Sequence, residues 1–320
     1  LETKAKNAQG HLDKVIQFVR KNIPFIGLIA ICIIVGIAAP TFFTEYNLLN
    51  VTKQAAVNGL LAFGLMIVIV SGGIDLSVGS TLAVTGMVAA MLIDAGVPSS
   101  IAILIALLLG AGIGALNGVL IAKGKLQPFI ATLGSMMVFR GITLFISDGV
   151  PVSQLGSGMI EWIGRGKIFG LIPVQAVILL IVFFIFLYFL KNTTFGKRIY
   201  SIGGNQKAAR LSGIKVESNL IYIYMISGIL AALAGIITTS RVDSAVPLAG
   251  QSYEMYAIAG AVIGGTSLAG GKGRAVGTLV GIFIIAVINN GLNLIGANDY
   301  LKQVITGLVI IIAVIADRKK

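Results

Sequence analysis

Long apolar stretches without a charge, separated by short polar breaks, set the pattern of this chain. They run over 22–44, 54–74, 76–93, 95–122, 168–190, 218–240, 255–271 and 275–298. A helix rises 1.5 Å per residue, so about 20 residues cross a hydrocarbon core of about 30 Å, and each stretch is a candidate spanning helix. Two shorter runs, 126–147 with Arg140 inside it and 303–316, bring the set to about ten. The pattern predicts an all-α polytopic membrane protein with a transmembrane domain over 23–316. A basic tail precedes it at 1–22, a short C-terminus follows at 317–320, and the longest polar break is 191–219.

Composition agrees with this reading: hydrophobic residues make up 57% of the chain and charged residues 11%, against about a quarter charged in a soluble domain. The net charge of +12 would suggest nucleic acid in a soluble protein, but the basic residues are spread over several loops, without aromatic stacking partners on one surface. They act instead as topology signals. With the N-terminus inside, most Lys and Arg fall on the cytoplasmic side, so both termini are expected to be cytoplasmic. The apolar run after the tail is read as a first span rather than a cleaved signal, because the basic region is long and further spans follow. One cysteine, Cys32, and one histidine, His11, exclude an intrachain disulfide and a Cys/His zinc site.

Asp75 is the only carboxylate placed within the series of spans, in the run IVIVSGGIDLSVGS at 67–80. An acid in a spanning helix costs on the order of 3 kcal/mol, so it usually lines a path or a joint. Gly72, Gly73 and Gly79 bracket it, with Ser77 alongside. Two readings stand: a bent joint facing the bundle interior, which membrane depth tolerates only where freed backbone groups meet protein or water, or a wet cytoplasmic turn. A second run, 264–271, shares the pattern G-G-x-x-L-x-x-G with 72–79, and its spacing fails as a phosphate loop because Thr266 and Gly273 stand at required positions. Any ATP chemistry therefore belongs to another polypeptide. In the 191–219 break, Asn205 is a candidate N-cap for a short helix at 206–212 and Gly213 its stop. The small-residue stretches 110–115 and 228–235 offer faces for close helix packing.

Four runs carry a family likeness: GGIDLSVGS at 72–80, TLGSMMVFRGI at 132–142, FGKRIYSIGGNQKAARLSGI at 195–214 and YEMYAIAGAVIGGTSLAGGKGR at 253–274. Together they resemble the permease subunits of bacterial monosaccharide ABC importers, most of all those for ribose. The resemblance implies a multi-pass protein of the bacterial cytoplasmic (inner) membrane, no enzyme itself, that passes on a monosaccharide. It implies three partners: a second permease chain, with a homodimer favoured; an ATP-binding subunit with two nucleotide domains; and a periplasmic or lipid-anchored sugar-binding protein. No cofactor belongs to this chain, and ATP and Mg are used by the partner ATPase. The ATPase-docking residues it implies are Gly203, Gly204 and Asn205, followed by Ala208, Ala209, Arg210, Leu211, Ser212 and Gly213, with Lys207 in place of the usual glutamate.

Neutral sugars need hydroxyl and amide partners, which Asn117, Thr132, Ser135, Asn289, Asn290 and Asn293 supply on glycine-rich spans, with Asp75 and Ser77 at the joint. The outer loops 148–172 and 242–254 are the expected landing sites for the binding protein, through Asp148, Glu161, Asp243 and Glu254. Arg140 is expected to snorkel to the interface. The competing class is a gradient-driven secondary transporter of a small polar solute. An intramembrane protease lacks its catalytic pair.

Overall fold

The computed structural model describes residues 24–156 and 158–317. The basic tail with His11 and residues 318–320 lie outside them. The chain folds into helices α1 (Pro24–Ala38), α2 (Glu45–Val70), α3 (Val78–Asp94), α4 (Ser99–Ala122), α5 (Pro128–Ile146), α6 (Met159–Arg165) and α7 (Val174–Asn192). After them come α8 (Thr194–Gly204), α9 (Gln206–Leu211), α10 (Val216–Val242), α11 (Tyr253–Ile263), α12 (Ala275–Leu294) and α13 (Asp299–Asp317). Two-residue strands β1 (Val152–Ser153), β2 (Lys167–Ile168), β3 (Ile172–Pro173) and β4 (Ser244–Ala245) form two antiparallel pairs, β1 with β4 and β2 with β3. Six helices, α2, α4, α5, α7, α10 and α12, are long and apolar enough to cross a membrane. The protein is a helical multi-pass membrane protein.

Local chemistry sets several helix ends. The Thr44 side chain accepts a hydrogen bond from the Asn47 N–H, capping α2, and Thr193 caps α8 in the same way. Pro128 opens α5 at a position where its missing N–H costs nothing. The core centres on α2, which is wrapped by α7, α10, α11 and α12, with Leu60, Phe63, Met66 and Ile67 fully buried. The two small-residue stretches meet each other: α4 and α10 form the most extensive helix contact. A methyl group on Gly110 or Gly228 would collide with the other's carbonyl, so the backbones touch where side chains are missing.

Of the short apolar helices, α3 starts and α11 ends within its uncharged run. α11 has 11 residues and ends at Ile263, because Gly265, Gly270 and Gly271 adopt positive φ and turn the chain. An uncharged glycine-rich loop reads like a span by charge alone. The run 76–93 becomes helix only at Val78. Both short helices begin inside the bundle and at the same level. Asp75 lies against Ser227 of α10, a methyl on Gly235 would strike the Leu82 carbonyl, and Gly79 packs on Gly250 and Glu254. That level is roughly 10–22 Å short of the Val242 end of α10 at 1.5 Å per residue. From it α3 runs towards Val242, with Gly86 on Thr239, while α11 runs the opposite way to Gly264, which packs on Gly277.

Candidate functional site

The joint between α2 and α3 gathers a closed polar network. Asp75 is 2% exposed. One carboxylate oxygen accepts from the Ser77 N–H at 3.0 Å and the Ser77 hydroxyl at 2.6 Å, and the other accepts from the Ser227 hydroxyl at 3.1 Å. The Asn117 amide donates to Ser77 Oγ at 2.9 Å, and the Ser135 hydroxyl donates to Asn117 Oδ1. Tyr224 donates to the Ile74 carbonyl at 3.1 Å. The chain Ser227, Asp75, Ser77, Asn117, Ser135 thus ties α10, the joint, α4 and α5 together. Asp75 is in the bundle interior and not in a wet turn. Four residues read as path residues therefore bond to one another, and Ser227 completes a set that the sequence did not flag. A lone serine in an apolar, glycine-rich helix gave too weak a signal.

The other path candidates fall elsewhere. Thr132 is buried and bonds to the Pro128 carbonyl of its own helix at 2.8 Å. Asn290 exchanges two hydrogen bonds with Asn47, at 2.9 and 2.8 Å, holding α12 to α2. Asn289 and Asn293 line a polar cavity of about 300 Å³ with Gln54, Asn58, Arg241 and Tyr253. None of the residues lining that cavity belongs to the Asp75 network, so the structure gathers the path candidates in separate places.

Arg140 does not snorkel. Its guanidinium turns into the protein and donates to the carbonyls of Pro247 and Ala249, both at 2.8 Å, and of Gly79 at 3.4 Å. It thereby holds the turn before α11 against the start of α3. The reason is the free carbonyl groups of that turn, which need donors wherever water is excluded. Glu254 is not a loop charge: it sits in the first turn of α11, 9% exposed, close enough to Arg140 for the two charges to interact. Beside them a groove of about 490 Å³ opens, with Gln251 and Ser252 on its wall.

The remaining loop acids lie at the surface. Asp148 is exposed with φ 48°. Glu161 pairs with Arg165 at 4.0 Å, and Arg165 reaches Asp243 at 3.4 Å. Asp243 also accepts from the Leu155 N–H at 3.2 Å, so it braces the loops that β1 and β4 join.

At the opposite end of the bundle, Asn205 Oδ1 accepts from the Ala208 N–H at 3.0 Å and caps α9, and Gly213 ends the turn with φ 81°. Those two features were legible. Arg210 pairs with Glu217 at 2.5 Å, Ala209 is buried, and Leu211 is 90% exposed. α9 leads back through α8 to a three-way backbone junction. The Gly271 N–H donates to the Val70 carbonyl at 2.8 Å, a methyl on Gly203 would collide with that same carbonyl, and one on Gly270 would meet the Gly203 carbonyl at 2.8 Å and Gly72 Cα at 3.2 Å. The two similar glycine runs thus come into contact at Gly72 and Gly270. Tyr200 of α8 donates to the Gly273 carbonyl at 2.9 Å; burial pushes its phenol up, against the pull of Arg274. A cavity of about 600 Å³ lies beside the junction, lined by Gly72, Gly203, Asn205, Arg210 and Tyr224 among others. Among the described residues no group of three or more His, Cys, Asp or Glu side chains could hold a metal ion.

Comparison with known proteins bears on this arrangement. Residues 47–314 match the family described as "Branched-chain amino acid transport system / permease component". The chain is 50% identical over 321 residues to the ribose import permease protein of Bacillus subtilis (strain 168), covering 100% of this chain and 98% of that one. It is 47% identical over 298 residues to the ribose import permease protein of Escherichia coli (strain K12), covering 92% of each. Identity to the D-allose transport system permease protein of Escherichia coli (strain K12) is 41% over 295 residues, 92% of this chain and 90% of that one. No solved structure matches.

Proposed function

This chain belongs to the branched-chain amino acid transport system / permease component family, and from that premise we propose that it is the permease of an ATP-driven monosaccharide importer, with ribose the favoured cargo. The observation that carries the reading is the likeness to ribose import permeases at 46–50% identity over nearly the whole chain. A sugar is also the cargo that fits polar groups which are mostly neutral amides and hydroxyls.

In this reading the bundle crosses the bacterial inner membrane about ten times, with α13 and the shorter α1, α3 and α11 joining the six long helices and both termini cytoplasmic. Two copies of the chain pair. An ATPase subunit with two nucleotide domains, using ATP and Mg, binds α9 and the residues from Gly203 to Gly213. Leu211 offers an exposed apolar contact and Asn205 keeps its helix wound. ATP closure displaces α9, and α8 passes the displacement to α2 and the α11–α12 loop through the glycine junction. A sugar-binding protein lands at the other end, on the loops carrying Asp148, Glu161 and Asp243. Its differential affinity for the two permease states supplies the coupling that any such cycle requires. Asn289 and Asn293 line the vestibule there. Asp75, Ser77, Asn117 and Ser135 serve as a rigid tie beside the path rather than as sugar ligands, because their groups are already bonded to each other.

The test is uptake of labelled ribose into proteoliposomes holding the permease, its ATPase and its binding protein. Uptake should occur with internal ATP and stop with a non-hydrolysable analogue. A Leu211→Asp change should abolish co-purification of the ATPase while leaving the permease as stable as before, within about 0.5 kcal/mol. Uptake driven by an ion gradient without the ATPase would establish a secondary transporter instead.

A further inference from the structure

The groove beside Arg140 is left without a role by this account. Its depth is unusual. The segment 71–77 enters the bundle from the Val70 end and the turn 246–252 enters from the Val242 end, and they meet where Gly79 packs on Gly250. Two short helices of opposite direction, α3 and α11, start at that meeting point. Interrupted helices of opposite direction at mid-bilayer are the arrangement in which membrane proteins place polar backbone around a substrate.

The chemistry of the wall is equally specific. Gln251 and Ser252 carry no side-chain hydrogen bond among the described residues, and Ser252 is held at φ 66°. Glu254 lies beside them. An amide, a hydroxyl and a carboxylate offer both donors and acceptors, the set that neighbouring sugar hydroxyls satisfy. Arg140 is committed to three carbonyls and keeps the turn in place. Met136, Met137 and Leu248 give the groove an apolar side, against which the C–H face of a sugar ring packs. Its volume of about 490 Å³ falls within the range for small-ligand pockets, roughly 300–1,000 Å³.

The polarity of its wall disfavours lipid as the neighbour. The outer face of α5 is apolar, with Val138 and Phe145 exposed and Met137 at the rim where the groove opens. A groove presenting a glutamine, a serine and a glutamate to hydrocarbon would cost several kcal/mol.

We infer that this groove is a monosaccharide-binding site halfway through the bundle, in which Gln251, Ser252 and Glu254 bond the sugar hydroxyls and Arg140 positions the turn that carries them. The inference rests on the importer reading and adds the place where cargo is held.

The test uses the assembled complex in proteoliposomes. In a Cys32→Ala background, Gln251→Cys is labelled with a maleimide with and without saturating ribose, and Phe145→Cys, exposed on α5 but outside the groove, is the control. Ribose should slow labelling at 251 by about tenfold and leave 145 unchanged, and Gln251→Ala and Glu254→Gln should each lower ribose moved per ATP hydrolysed by about tenfold, the effect of leaving a polar group unpaired. Equal labelling rates in a complex that transports ribose would overturn the site while leaving the importer intact. Protection by leucine or valine but not by ribose, in a complex that moves no sugar, would overturn the importer reading itself. If Glu254→Gln fails to assemble, the labelling result decides.

Discussion

Two polar clusters lie within the same bundle and differ in one respect. Around Asp75 every strong acceptor is matched: the carboxylate takes three hydrogen bonds, and Asn117 bridges Ser77 to Ser135. Around Glu254 the bonding stops short, with Arg140 spent on backbone carbonyls and Gln251 and Ser252 facing an open groove. A closed network in a low dielectric is rigid and expensive to disturb. An open one has capacity for a ligand. The contrast teaches that polarity inside a membrane bundle is not by itself a sign of a path, and that hydrogen-bond capacity left over is the better sign.

Breaking the closed cluster should have the largest effect. Asp75→Ala strands the Ser77 N–H and two hydroxyls in the core, and should cost about 3 kcal/mol or more, seen as loss of folded protein or a large fall in the melting temperature in detergent. Gly79→Ala attacks the seam between the two clusters. Its new methyl would strike the Gly250 carbonyl and stand about 2.7 Å from Glu254 Oε2, for a loss of about 2 kcal/mol from forcing α3 and α11 apart. Asn117→Ala removes two bonds but leaves the Asp75 pairs, and should cost about 1–2 kcal/mol with ribose uptake at low temperature preserved. A complete loss of uptake there would make Asn117 a sugar ligand and blur the comparison. Gln251→Ala should shift the melting temperature least, within about 0.5 kcal/mol, because nothing in the fold depends on its side chain.

Legibility followed the length scale of each signal. Long apolar runs located α2, α4, α7, α10 and α12, since hydrophobicity summed over about 20 residues outweighs local accident. The α9 cap was readable because Asn205 and Gly213 act within a few residues of themselves. The site was harder. Arg140 could be placed by height along a straight helix, but height does not give direction, and its two nearest acceptor carbonyls, of Pro247 and Ala249, are more than a hundred residues away in sequence. Glu254 looked like a loop charge because charge counting cannot see a loop folding back into the bundle. Asn290 carried the same label as Asn289, yet one residue along a helix turns the side chain by about 100°, towards Asn47 instead of the cavity.

The glycine junction at Val70, Gly203 and Gly271 works like a gear train without play. Side chains between moving parts would act as springs, yielding by rotamer changes before transmitting any displacement, and here the contacts are backbone against backbone. Between α8 and the end of α2 no side chain stands to absorb a displacement. The same stiffness runs in reverse, so whatever holds the end of α2 fixed also holds α8 and the short helix α9 that follows it.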